Sequence, residues 1–210
     1  MTDDRRHGWA APRFSPVRGA AVGAVGGLLY WGAAEVWPAS IAVVIAMLAM
    51  VSLDPPNASD AGRGLRGTAA VLVLGTLLKY DTLMALSAAK LPYALPENAA
   101  LGCIMVAGQA LALGLAVSVA PASSESRARS VSAGDLAIAL LLGFVPATLI
   151  GIPGLIGLAA ALVARFAWPA FERRRGGATN TGAFDSPART VREIAEISFY
   201  LGVLGAWSFI

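Results

Sequence analysis

The sequence predicts an all-α protein, a polytopic helical membrane protein of about seven transmembrane helices with its N-terminus in the cytoplasm. Three observations carry that expectation. The chain is 57% hydrophobic and only 14% charged, against about 25% charged residues in ordinary soluble domains. Its apolar residues fall in long blocks separated by short polar stretches, and its arginines cluster in every second one of those stretches.

A membrane-spanning helix needs roughly 17 to 25 mostly apolar residues. Candidate spans run over residues 19–37, 39–53, 68–88, 99–120, 136–150, 154–168 and 194–210. The first carries Gly19, Gly23 and Gly27 at four-residue spacing, a stripe that lets a neighbouring backbone approach closely. Tyr30, Trp31 and Trp37 near its outer end suit an interfacial aromatic belt. The second span is short. The fifth and sixth form one apolar run interrupted by Pro146 and by Gly151-Ile152-Pro153-Gly154. That run reads either as two short helices with a tight outer turn or as one broken helix.

The basic residues favour two helices. Cytoplasmic loops hold the excess of Lys and Arg near span ends. Seven spans with the N-terminus inside place Arg5, Arg6, Arg13, Arg18, Arg63, Arg66, Arg127, Arg129, Arg173, Arg174, Arg175, Arg189 and Arg192 on the cytoplasmic side and Lys90 alone outside. Lys79 lies within span three, and Arg165 can snorkel to the inner surface from span six. Merging spans five and six would reverse the last loop and spoil this asymmetry. The expected organisation is a cytoplasmic tail over residues 1–16 and one integral membrane domain over 17–210, with cytoplasmic loops near 54–67, 121–135 and 169–193. The tail lacks a small-residue cleavage site after a short apolar core, so the first span is expected to stay as a signal anchor.

One cysteine, Cys103, excludes an internal disulfide, and one histidine, His7, excludes a histidine-built zinc site. The expected partner is the lipid bilayer, and no nucleic acid is expected.

Polar residues inside the spans need a reason. Lys79 and Asp81 are two residues apart, about 200° around a helix. They face different sides, and each needs its own partner on another helix. Lys79 reads either as an anion contact or as half of a buried ion pair. Gln109 suits interhelical hydrogen bonding, and Glu35 suits an interfacial position. The loop LDPPNASDAGRGLRG, Leu53 to Gly67, combines carboxylates, arginines and glycines, the tools of phosphate handling. A solvated Pro/Gly/Asp turn has the same composition. Arg173 to Glu196 holds eight charged side chains just before the last span. Its arginines read as positive-inside anchors, and Gly176-Gly177 as the end of the preceding helix. Glu193 and Glu196, three residues apart, share one face of the last helix. The pair could hold magnesium, or bond Lys79 or an arginine.

Over nearly its whole length the chain resembles the cobalamin (5'-phosphate) synthase family, the adenosylcobinamide-GDP ribazoletransferases. Ser15 to Asp54 is similar to the family's N-terminal helix pair, with its Pro-x-x-Gly start and closing Leu-Asp. Asp60 to Tyr80, DAGRGLRGTAAVLVLGTLLKY, resembles the Asp-Ser-Arg-x-Gly-x-x-Gly stretch and the helix ending in lysine, with Asp60, Gly64 and Gly67 at matching offsets and the arginine shifted to Arg63. VAGQALALGL, Val106 to Leu115, resembles a helix in which Gly-Arg is usual, so that Gln109 stands at the arginine position. RRRGGATNTGAFDSPARTVREIAE resembles the C-terminal Gly-Gly-x-Thr-Gly-Asp signature with its Glu-x-x-Glu ending, although it carries about five extra residues. Of the family's acidic signature loop, only Asp54 has a counterpart.

The resemblance implies transfer of an adenosylcobinamide phosphoryl group from its GDP anhydride onto the 5' oxygen of alpha-ribazole or its 5'-phosphate, with release of GMP, at the bacterial cytoplasmic (inner) membrane. It implies Asp60, Arg63 and Lys79 as catalytic residues and Gly64, Gly67, Thr179 and Gly182 as substrate contacts. Magnesium (Mg2+) would be held by Asp54, Asp185, Glu193 and Glu196. Corrinoid nucleotide and ribazole are the implied substrates, and a homo-oligomer or a cobalamin-assembly complex the possible assembly. Two rival expectations accompany it: a catalytically degenerate membrane relative that binds or scaffolds corrinoid assembly, and a small membrane transporter.

Overall fold

A computed structural model describes residues 15–53, 65–89, 96–117, 133–174 and 187–209. Among these residues the chain forms seven α-helices and no strand. They are α1 (Ser15–Ala34), α2 (Ala39–Leu53), α3 (Leu65–Ala88), α4 (Glu97–Val117), α5 (Ala133–Ile150), α6 (Ile152–Arg174) and α7 (Pro187–Trp207). Every predicted apolar block falls on its own helix. The all-α class holds, and the helix ends differ from the predicted spans by a few residues. Asn98–Ala116 of α4, with mean hydropathy 1.9, is the one helix among the described residues that is long and apolar enough to cross a membrane. Ala39–Leu53, Leu140–Ile150 and Ile152–Ala167 are shorter apolar helices.

α4 is the centre of the bundle, touching α1, α3, α5, α6 and α7. Ile104, Met105, Leu111 and Leu115 are fully or almost fully buried there. α1 lies along α4 because its glycine stripe leaves no side chain between the two backbones. A Cβ on Gly23 would sit 2.6 Å from the Met105 carbonyl oxygen, and one on Gly27 would sit 2.8 Å from Gly102 Cα. α7 packs against α4 and α6 through Phe199, Tyr200 and Val203, all buried. α3 packs on α7, α2 and α4, while Val73, Leu74, Leu77 and Leu78 face outward. Large apolar side chains cover much of the outer surface, among them Leu28, Val36, Leu48, Leu141, Val163 and Phe166.

The long apolar run divides into α5 and α6 as expected, and Gly151 alone makes the break. α5 continues through Pro146. Gly151 takes φ 81°, a left-handed conformation that glycine adopts without a steric penalty. Its N–H donates to the Thr148 carbonyl at 3.0 Å, closing α5, and its own carbonyl accepts from Leu155 N–H at 3.2 Å, opening α6. Pro153 then falls in the first turn of α6, where a missing N–H breaks no helix bond.

Two expectations are corrected. Tyr30 is 2% exposed and belongs to the core, which leaves Trp31 and Trp37 as the exposed aromatic pair. Asp81 is exposed, so it lies on the outer side of α3 and not against another helix. Glu35 is exposed in the turn after α1.

The α1–α4 contact yields a paired test. Gly23→Ala forces its methyl into the α4 backbone and should lower stability by about 1–3 kcal/mol. Gly32→Ala meets nothing within 4 Å and should be neutral or stabilising by up to about 1 kcal/mol through helix propensity. Chemical unfolding followed by circular dichroism separates the two.

Candidate functional site

Among the described residues, the apolar bundle encloses a cluster of charged and polar side chains drawn from three helices. Lys79 extends from α3 between two carboxylates of α7. Its Nζ is 2.6 Å from Glu193 Oε2 and 2.6 Å from Glu196 Oε2. The three-residue spacing of the glutamates puts both on the α7 face that meets α3. Gly75 lies one turn before Lys79, and a Cβ there would make only an ordinary van der Waals contact with Glu193 Oε2, at 3.7 Å.

Glu196 is held from every side. Its Oε1 accepts from Gln109 Nε2 at 2.6 Å and from the Tyr200 hydroxyl at 3.1 Å, while its Oε2 faces Lys79. Gln109 is oriented in turn by Arg192, whose Nη2 donates to Gln109 Oε1 at 3.3 Å. The amide therefore presents its N–H2 to the carboxylate and its oxygen to the guanidinium. Tyr200 fits because Gly108 has no side chain: a Cβ there would lie 2.6 Å from the Tyr200 ring. Two cations, Lys79 and Arg192, balance the two carboxylates. That balance matters, because an uncompensated buried charge costs several kcal/mol.

The two carboxylates differ in access. The Glu196 side chain is 1% exposed, Glu193 is 22% exposed, and Lys79 is 15% exposed. Glu193 lies one turn nearer the start of α7, so the cluster opens on its side and closes at Glu196.

Three of the expected site residues, Lys79, Glu193 and Glu196, thus meet although the chain separates the lysine from the glutamates by more than 110 residues. Gln109, expected to bond between helices, joins the same cluster. Gly67 lies in the first turn of α3. Asp54, Asp60, Arg63, Gly64, Thr179, Gly182 and Asp185 lie outside the described residues. Of the open choices for the glutamate pair, the geometry takes Lys79. Tyr200 and Gly108 were not anticipated. The i, i+4 spacing of Glu196 and Tyr200 carried the signal for the first.

Magnesium binds oxygen ligands at about 2.0–2.1 Å in near-octahedral geometry. The point on which Glu193 and Glu196 converge is filled by the Lys79 ammonium, and this arrangement does not fit an ion shared by the pair. Among the described residues no three His, Cys, Asp or Glu side chains converge on a metal position. The chain matches no protein-family model, no curated protein and no solved structure.

The cluster predicts an order of stabilities. Lys79→Met leaves Glu196 buried without its cation and should cost about 3–5 kcal/mol. Lys79→Met combined with Glu196→Gln removes one charge of each sign and should cost clearly less than the sum of the single changes. A double-mutant cycle by chemical unfolding measures the difference.

Proposed function

We propose that this chain is an integral membrane protein of cobalamin synthase type, with seven spans and a cytoplasmic N-terminus. What supports the membrane reading is the inverted distribution of polarity. Leucine, valine, phenylalanine and tryptophan face outward on most helices, while lysine, glutamates and glutamine are gathered inside. Monomeric soluble proteins rarely expose contiguous apolar patches larger than a few hundred Å². The thirteen arginines assigned to one side give the orientation. A reporter fusion tests it: green fluorescent protein at the N-terminus should fluoresce, and alkaline phosphatase at the C-terminus should be active outside. An active phosphatase at both ends would contradict seven spans.

The function in this reading is the transfer of the adenosylcobinamide phosphoryl group from its GDP anhydride to alpha-ribazole or its 5'-phosphate, releasing GMP, at the cytoplasmic membrane. The carrying observation is the convergence of Lys79, Glu193 and Glu196, all nominated by the resemblance, with Gln109, which occupies the family's arginine position. Phosphoryl transfer chiefly needs positioning and charge neutralisation. Lys79 supplies an ammonium at a fixed depth, oriented by Glu196. Asp60 and Arg63 join Lys79 as catalytic residues in this reading, and Gly64, Gly67, Thr179 and Gly182 contact the substrates. Magnesium enters through the resemblance alone, with Asp54 and Asp185 as its remaining candidate ligands, and would supply further charge neutralisation on the phosphates.

One observation favours a second reading, a degenerate relative that binds a corrinoid nucleotide without turning it over: the glutamate pair is closed on Lys79. Complementation separates the two. Expressed in a strain lacking its own cobalamin synthase and fed cobinamide with a lower-ligand base, the active chain yields cobalamin, and Lys79→Met lowers the yield at least tenfold. Absence of cobalamin despite verified membrane expression sinks the transferase reading. Retained binding of adenosylcobinamide-GDP in that case leaves the binding relative.

A further inference from the structure

We propose that the outward face of α3 around Asp81 is a docking surface for a membrane-spanning helix of another protein, one that carries a lysine or arginine at the depth of Asp81. The inference goes beyond the transferase reading and rests only on its membrane part. Asp81 is exposed on α3, and it makes no hydrogen bond or ion pair with the described residues. Leu74, Leu77 and Leu78 are exposed beside it. Spacings of three, four and seven residues put all four on one stripe of the helix. Lys79, about 200° around the helix from Asp81, faces inward to Glu193 and Glu196. The helix thus shows one ionisable group, already paired, to the core and a second, among leucines, to its surroundings.

The outward carboxylate is what needs a partner. Ionisable side chains within membrane spans almost always face protein or a water-filled cavity and pair there. At 1.5 Å rise per residue, Asp81 lies about 10 Å before Ala88, the end of α3. Lysine and arginine reach an interface along their long stems; aspartate has a single methylene and does not. A stripe of leucines alone would be satisfied by lipid tails, which are as apolar as leucine. The carboxylate is not, and it selects an occupant that supplies a cation. A second copy of this chain offers none from its helices at this level. In the seven-span orientation, the outer halves of the helices carry no lysine or arginine apart from Lys79, which is bonded inside. The complementary group therefore comes from another protein.

Synthetic leucine helices are the probe. The purified full-length chain and each helix, labelled as donor and acceptor, are reconstituted in phosphatidylcholine vesicles, and association is read by energy transfer. One helix carries a single lysine at the depth of Asp81, another carries it in the opposite leaflet, and the last carries leucine alone. The matched lysine helix should associate about tenfold more tightly than the other two. Asp81→Leu, at an exposed position, should remove that preference while keeping the helical content of the wild type. Equal association of all the helices with the wild type overturns the proposal, as does a preference that survives in Asp81→Leu. Energy transfer between labelled copies of the chain alone, lost in Asp81→Leu, would make the occupant a second copy and overturn the assignment to another protein. Reporter fusions that uphold seven spans while the helices are not discriminated leave the membrane reading standing and this inference failed. Fusions that contradict seven spans remove both.

Discussion

The placement of α3 depends on one ammonium group held between two carboxylates. Lys79 connects α3 to α7, and behind Glu196 the contact continues through Gln109 to α4, the central helix. Four helix-borne features are thereby fixed at once: the rotation of α3 and of α7, the side of α4 that faces them, and the glycine at 108 that admits Tyr200. Elsewhere glycines let several helices approach closely. On α6 and α7, a Cβ on Gly202 would meet Gly157 Cα at 2.8 Å. Such contacts set distance well and register poorly. A 2.6 Å ion pair at one position along a helix supplies the register.

Buried ion pairs are often matched in stability by well-packed apolar side chains. An apolar set at positions 79, 109, 193 and 196 would spare the bundle the desolvation of four polar groups. Their presence is therefore not explained by net stability, and the helix register they set is one gain they bring. The detailed bonding argues the same way, since Gln109 bonds through both ends of its amide, while Glu196 accepts hydrogen bonds at Oε1 and ion-pairs with Lys79 at Oε2. Packing alone does not require such matching.

Helix existence and position were legible in the sequence because hydropathy sets them, and the helix that crosses Pro146 shows where punctuation misleads: proline suggests a break, yet the left-handed turn falls at Gly151. Helix rotation was far less legible. α2 and α5 are apolar on all sides, so no stripe announces which face is inward. Tyr30 illustrates the result, since an aromatic at a helix end suits either an interface or a core and the sequence does not choose. The site was half legible. A lysine in an apolar span demands a partner, and Glu193 with Glu196 at three-residue spacing offers a face. Their mutual choice depends on the rotation of two helices. Tyr200 reads as one more apolar residue until its hydroxyl is seen against Glu196.

The neutrality of the cluster constrains any chemistry performed there. A site with spare positive charge attracts anions without rearrangement and releases them slowly. Here the Lys79 ammonium is already occupied by two carboxylates of α7, each 2.6 Å away. Glu196 is firmly held, because its oxygens are shared among three donors in the dry interior. Glu193 is the more accessible of the two, at 22% exposed. One Glu-x-x-Glu spacing thus carries a carboxylate that is 1% exposed and another that is 22% exposed, a difference that the spacing itself does not reveal.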